Sequence, residues 1–263
     1  MYLAQFFIDC IAMITCLNGS FYNDLSLELC TNRGFMYGDG LFETMLFENN
    51  KIKHFSDHLE RLVHGMNTLG YFYDDLTLKE ISENTLLSCQ KSNLSIARVK
   101  LAVWRNWGGL YAPTTNQISF LIEVNEYKQT SNEINNLGIA KTVKIAVNNV
   151  SNLKTLSALQ YVLAGIEKTN SDLDDLVLLN TDNYICECTA SNLFWKKEGI
   201  VYTPSLKSGC ISGIGRKNEI ISLKLNNIQV EEGLYEVKSL VDADEIWNTN
   251  IFGRKKVINF IYK

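Results

Sequence analysis

Strand-like and helix-like stretches mix along this chain without a strict βαβ alternation, and that order constrains its fold more than any other feature. It predicts an α+β fold in two domains. Residues 14–17 read as a strand closed by the Asn18-Gly19 turn signal. A second strand, Phe42 to Phe47, follows the glycine-rich segment FMYGDG. A helix is expected from Asp57, where Asp57 and Glu60 have capping-box spacing. Leu59, Leu62, Val63, Met66 and Leu69 give its apolar stripe, and Gly70 ends it. Another helix fits 76–91. Strands at 97–104 and 117–124 flank the loop RNWGGLYAP.

The stretch EYKQTSNEINNLG (126–138) is polar, lacks periodicity and is read as a linker. It separates a smaller N-terminal domain, 13–125, from a larger C-terminal one, 139–263. Beyond it the pattern predicts strands at 143–147, 175–180, 184–187, 192–196, 200–203 and 245–249. Helices are expected at 155–168 and, after Gly213 and Gly215, at 216–224. Residues 1–12 precede a second methionine, Met13, and are taken as an extension outside the core.

A chain of 263 residues suits one large or two small domains. Its apolar share of 46 % and charged share of 21 % exclude a disordered or collagen-like polymer. The net charge of −4 offers no general basic field for nucleic acid or an anionic membrane. No apolar run approaches the ~18 residues of a membrane span. The first twelve residues lack a basic leader and carry Asp9, a poor secretion signal. Seven cysteines, an odd number, argue against a disulfide framework, and three histidines leave a zinc site short of ligands. Reduced thiols, a cytoplasmic location and no metal are expected.

Four places could carry chemistry. Lys154 stands between a strand and an amphipathic helix, and is either solvated or poised at a site. Glu187 lies inside the apolar run YICECTASNLFW. A carboxylate there is expensive to bury unless a salt bridge or a cationic ligand pairs it. In SGIGRKNEI two glycines open a helix, either as a plain turn or as a phosphate-binding N-terminus. The segment is not a dinucleotide fingerprint in a βαβ unit. Arg61, in HLERL, is either a solvated helix arginine or a phosphate clamp.

FMYGDGLFET, HLERL, NLKTL, ECTASNLFW, YTP and GIGR occur in the order seen in fold-type IV pyridoxal-phosphate enzymes, the class IV aminotransferase family. The chain resembles that family from about Met13 to Asn250. The resemblance implies a smaller N-terminal α/β domain and a larger C-terminal domain with a β-barrel-like core. It implies pyridoxal 5'-phosphate as cofactor and a homodimer with the site near the interface. Lys154 would be the Schiff-base lysine and proton shuttle. Glu187 would face the pyridine nitrogen. Arg61 and the backbone N–H groups of Ile214 and Gly215 would hold the phosphate. Many relatives have threonine where Gly215 stands. Tyr37 and Glu43 would lie on the substrate side, and Thr249 and Asn250 would line the cofactor or substrate.

Within the family, ECTASNLFW, NLKTL with QYVLA, and KTNSDLDDLVLL are most similar to 4-amino-4-deoxychorismate lyases. These release 4-aminobenzoate and pyruvate. The alternative is an aminotransferase acting on branched-chain or other amino acids with 2-oxoglutarate, and a non-catalytic paralogue is a third reading. Relatives often place an arginine at the position of Leu110, and the D-amino-acid enzymes a histidine at that of Ala112. The substrate carboxylate would then fall to Arg105, with Arg33 and Arg254 as other donors.

Overall fold

In the computed structural model, which describes residues 14–22 and 32–262, the Asn18-Gly19 pair turns as its sequence demands. Both residues have positive φ, 47° and 80°, and they join β1 (Ile14–Leu17) to β2 (Ser20–Tyr22) as a two-residue hairpin. The extension 1–12 lies outside the described residues. Next come α1 (Arg33–Tyr37), β3 (Gly40–Glu48), β4 (Lys51–Ile52), α2 (Phe55–Thr68), α3 (Asp75–Lys91), β5 (Ile96–Arg105) and β6 (Ile118–Glu126). The six strands form one antiparallel sheet in the order β2-β1-β6-β5-β3-β4. Met45, Phe47, Val99, Leu101, Val103, Ile122 and Val124 pack with Leu62 and Met66 of α2 and Ile81 of α3. Both helices therefore cover one face, and period-2 alternation sends Phe42, Thr44, Arg98 and Lys100 to the other.

The start of α2 differs from the sequence expectation. His54, in the left-handed region, precedes the first turn and caps it with no side-chain bond. Asp57 already lies in that turn and accepts instead from Lys217 and Asn218. The end is as expected. Gly70 takes φ 67°, and the N–H groups of Tyr71 and Gly70 reach back to Met66 and Asn67.

The second half holds β7 (Glu133–Ile139), α4 (Leu159–Asn170), β8 (Asp175–Leu179), β9 (Ile185–Cys188), β10 (Asn192–Lys197), β11 (Ile200–Pro204), α5 (Ile214–Leu225), β12 (Val230–Gly233), α6 (Lys238–Val241), β13 (Glu245–Asn250) and β14 (Gly253–Phe260). Its eight strands run in the order β12-β11-β10-β13-β14-β7-β8-β9. The chain passes directly from β9, at one end, into β10 near the other, so the sheet curls around an apolar interior. Leu137, Val177, Ile185, Leu193 and Trp195 fill it. On the outside, Ala164 of α4 packs with Leu176 and Leu178, and Ile220 and Leu223 of α5 with Phe194 and Trp247. This is the fold-type IV architecture expected, with a barrel-like half.

Two segments correct the sequence reading. The supposed linker contains β7, which runs parallel to both β14 and β8. Only Ile134, Leu137 and Gly138 of EINNLGI are buried, so its polar residues hid a strand. Conversely, VKIAV (143–147) makes a single bridge, Ile145 to Asn180, rather than a strand. The helix expected from 155 begins at Leu159, because residues 154–156 are tied to β3. The Phe42 N–H donates to the Lys154 carbonyl and the Leu156 N–H to the Gly40 carbonyl, each at 2.8 Å. A Cβ on Gly40 would stand 2.4 Å from Leu156 Cδ1, which explains a glycine there.

Candidate active site

Those two backbone bonds set Lys154 at the edge of β3, between the two sheets. Its half-buried side chain lays Nζ 4.2 Å from the Phe42 ring centroid. Burial, reinforced by the Arg61 guanidinium, pushes the amine down to about 8, while Glu43 and Glu187 pull it back. Roughly a tenth is therefore the neutral nucleophile at pH 7, far more than in an ordinary lysine.

Arg61 projects from α2 into a buried triad. Its Nε donates to Glu43 Oε1 at 2.8 Å and its Nη2 donates to Oε2 of the same carboxylate. His58, one turn earlier on α2, places Nδ1 2.6 Å from that Oε2. Its Nε2 has no hydrogen-bond partner among the described residues. Burial would raise the Glu43 carboxyl, but Arg61 and His58 together hold it below the usual range. The remaining Arg61 group, Nη1, donates to the Ser212 carbonyl at 2.9 Å, which brings the arginine to the loop before α5.

That loop is fixed beside Lys154 by Asn152. Its carbonyl accepts from the Ser212 N–H at 3.0 Å, and its Nδ2 donates to the Leu206 and Cys210 carbonyls. Gly213 then opens α5 with no side-chain cap, leaving the first-turn N–H groups of Ile214 and Gly215 for a ligand. Gly215 has no room for a side chain. Its Cβ would lie 2.5 Å from the Asn250 carbonyl oxygen, so α5 begins against the end of β13. Thr249, paired in register with Asn192 of β10, and Asn250 lie there too. Together with Arg61 and the uncapped start of α5 they form a corner that could hold an anion.

Glu187 is buried in β9. Its Oε1 accepts from Tyr161 Oη of α4 at 2.7 Å, and its Oε2 from Asn192 Nδ2 at 3.1 Å and the Ile211 N–H at 3.2 Å. Burial nevertheless pushes the carboxyl up to about 7, against those bonds and the charge of Lys154. The site thus sets a reluctantly ionised carboxylate and a lysine of lowered pKa beside an uncapped helix start.

The structure brings Lys154, Arg61, Glu187, Ile214, Gly215, Thr249 and Asn250 into one region. It separates two others, Glu43 and Arg105, from the roles expected of them. Glu43 faces the covered side of β3 as the holder of Arg61, not the substrate side. Arg105 is buried. Its Nε donates to Asp39 at 3.0 Å, Nη2 to the Leu69 carbonyl at 2.7 Å and Nη1 to Asn116, and its guanidinium lies over Tyr71. Tyr37, at the end of α1, packs edge-on against Tyr111 and beneath Arg33. Sequence reasoning passed over His58, Tyr161 and Asn192. Of these only His58 carried a signal, standing three residues before Arg61 and so on the same helix side.

The family described as amino-transferase class IV matches residues 40–251. An aminodeoxychorismate lyase of Bacillus subtilis is 30% identical over 242 residues, 89% of this chain and 82% of that protein. The crystal structure of 4-amino-4-deoxychorismate lyase from Pseudomonas aeruginosa superposes with a TM-score of 0.83 at 24% identity, covering 92% of this chain and 90% of that one. A T.th. branched-chain amino acid aminotransferase, solved with pyridoxamine 5'-phosphate, gives a TM-score of 0.83 at 19% identity over 94% and 85% of the two chains.

Proposed function

We propose that this chain, which belongs to the amino-transferase class IV family, is a pyridoxal-phosphate-dependent 4-amino-4-deoxychorismate lyase that gives 4-aminobenzoate and pyruvate. The residues fit the cofactor. Arg61 and the free first-turn N–H groups of α5 suit a phosphate, and the glycine at 215 lets the helix start lie close to Asn250. Glu187, ionised only reluctantly when alone, suits a protonated ring nitrogen. Lys154, with its depressed pKa, suits an aldehyde carbon. The observation that carries the chemistry is this convergence around Lys154.

Pyridoxal phosphate, when bound, supplies an aldehyde that condenses with amines and a ring that accepts the electron pair left by a departing proton. Lys154 would hold the cofactor and, once displaced by the substrate amine, take the proton from the amine-bearing carbon. Glu187, oriented by Tyr161 and Asn192, would hold the ring nitrogen proton in place. Arg61, fixed by Glu43, would keep the phosphate end from moving while Lys154 works. Loss of the enolpyruvyl ether as pyruvate then leaves an aromatic ring. That makes the step effectively irreversible without a second keto acid.

The 30% identity over most of the chain to an aminodeoxychorismate lyase favours this reaction. The family's own description, amino-transferase class IV, keeps transamination with 2-oxoglutarate as the second reading. Purified protein given 4-amino-4-deoxychorismate should form 4-aminobenzoate and pyruvate in equal amounts. Failure of both to appear, with an amino donor bleaching the bound-cofactor absorbance and 2-oxoglutarate restoring it, selects the transaminase.

A homodimer is part of the same reading. Leu159, Val162, Leu163 and Ile166 are exposed on α4 at i, i+3, i+4 and i+7, an apolar stripe on a helix that already packs inward through Ala164. Among the described residues no helix is long and apolar enough to cross a membrane. A cytoplasmic enzyme is proposed.

A further inference from the structure

Glu187 offers its two carboxylate oxygens unequally. An ionised carboxylate has about four acceptor sites, or about two on each oxygen. Oε2 takes the Asn192 Nδ2 donor at 3.1 Å and the Ile211 N–H at 3.2 Å, so its sites are filled. Asn192 Nδ2 also donates to the Ile211 carbonyl at 3.0 Å, which fixes the amide. Oε1 takes only Tyr161 Oη, at 2.7 Å. Among the described residues, the acceptor position left on Glu187 is therefore on Oε1.

Tyr161 is a fixed donor to that oxygen. It lies in the first turn of α4, just after residues 154–156, whose backbone is bonded to β3. One stretch of chain thus carries Lys154 at one end and the partner of Glu187 at the other. The ring packs against the cluster of Ala164, Leu176, Cys186 and Cys210, which sets the direction of its hydroxyl. Burial and the neighbouring Glu187 charge push the phenol well above its ordinary value, so it keeps its proton and donates across the neutral range. Of the influences that lower the Glu187 carboxyl against its burial, the Tyr161 bond is the largest; the Ile211 N–H and the charges of Lys154 and Arg216 follow. The thiols of Cys186, Cys188 and Cys210 also feel Glu187, and burial pushes each of them up, so they stay neutral near pH 7.

We propose that Tyr161 sets how strongly Glu187 holds the proton of the cofactor ring nitrogen, because the phenol and that nitrogen share Oε1. A hydrogen bond to the charged carboxylate lowers its basicity, so the phenol weakens the hold on the ring proton. Tyr161 is a positioning residue that acts through Glu187. Asn192 and the Ile211 N–H orient the carboxylate through Oε2, whereas Tyr161 tempers it through Oε1. This rests on the proposed reading that Glu187 faces the ring nitrogen.

The test is calorimetric titration of the cofactor-free full chain with pyridoxamine 5'-phosphate and with its 1-deaza analogue, in which a C–H replaces the ring nitrogen. Neither bonds covalently to Lys154, and the ratio of their affinities reads the ring-nitrogen contact alone. Wild type should favour the nitrogen form by about tenfold or more, the scale of one charge-assisted bond. Tyr161→Phe keeps the ring packing and should raise that ratio by about threefold or more. A role for Tyr161 in folding alone would weaken both ligands together and leave the ratio as it was. An unchanged or lowered ratio in Tyr161→Phe overturns the proposal; should that variant not fold, Tyr161→Leu, also without a hydroxyl, is read in the same way. An equal rise in Asn192→Ser, which unloads the other oxygen, overturns it too. Glu187→Gln reads the underlying assignment separately, since it should bring the ratio near one. A ratio that Glu187→Gln does not alter defeats that assignment, whereas one that collapses in Glu187→Gln and is indifferent to Tyr161 defeats only this proposal.

Discussion

Replacing Glu43 with glutamine separates two roles that a glutamate in the GLFET segment could have. In the structure its carboxylate accepts two bonds from Arg61 and lies 2.6 Å from His58, with both partners on α2, Glu43 and His58 buried and Arg61 nearly so. Glutamine offers one oxygen in place of two and turns an N–H toward donors. Removing one partner of a buried ion pair costs about 3–5 kcal/mol. Arg61 retains slight exposure and regains some hydration, so the lower end, about 3 kcal/mol, is expected. At about 2–4 °C per kcal/mol for a chain of this size, the midpoint should fall by roughly 6–12 °C. Thermal and urea melts of cofactor-free protein at pH 7 measure it. The pH dependence has a definite sign. The folded-state pKa of Glu43 is depressed, so its stabilisation is present in full above the unfolded value near 4.3 and is lost as pH falls through the folded value. The gap between wild type and Glu43→Gln should therefore close in acid. A variant melting within about 2 °C of wild type at pH 7, with a substrate KM raised more than about tenfold, would refute the structural role and restore the substrate one.

Lys154→Ala should abolish turnover with the fold intact, and in wild type the rate of pyridoxal phosphate capture should rise with pH and level off above about 8, where the amine is neutral; a rate still climbing through pH 10 contradicts this. Glu187 has a folded pKa raised to about 7, so in cofactor-free protein its contribution is most favourable below the unfolded value near 4.3 and declines as pH rises through about 7. Glu187→Gln should flatten that decline in urea melts while slowing turnover, and an unchanged slope would show that Glu187 is not the group responsible. Gly215→Ala should destabilise by about 1–3 kcal/mol and weaken cofactor binding, since backbone atoms of Asn250 crowd its Cβ; a neutral change would mean the turn after β13 yields easily. Val162→Glu on the apolar stripe of α4 should convert a dimer into a ~30 kDa species on sedimentation, and a wild-type protein already sedimenting at that size would remove the basis for the dimer.

The elements legible in the sequence were those whose local chemistry and tertiary role agree. Asn18-Gly19 could serve a two-residue hairpin, and it does. The stripe of α2 points at the sheet that covers it. Failure came where tertiary contacts decide. β7 carries two buried aliphatic residues among polar ones and is a strand because β8 and β14 flank it. In β14, GRKKVINF, only Val257 is buried, so the sequence gives almost no strand signal. The capping box at Asp57 looked local, yet its carboxylate is drawn to Lys217 and Asn218 on α5, a contact spanning 160 residues of sequence.

The site follows the same division, with one difference that bears on its chemistry. Lys154, Glu187 and Arg61 could each be singled out because each is a charge in a setting that makes charge costly or useful. What such reasoning cannot see is which charges are already paired. Asp39 draws Arg33 and Arg105 together from opposite ends of the first half of the chain, and Glu43 occupies two of the donor groups of Arg61. Asp39 and Glu43 both belong to the glycine-rich MYGDGLFET segment, so two residues of that motif orient arginines. Arg98 and Lys100 sit in a central strand whose alternation IARVKLAV reads as an ordinary half-exposed face of charge. The ring of Phe42, shared between Lys100 and Lys154, and the charge of Arg98 acting on Lys154 tie that strand to Lys154. A charge in this protein is therefore informative for function when its partner is missing, and the pairings that decide this exist only in the folded chain.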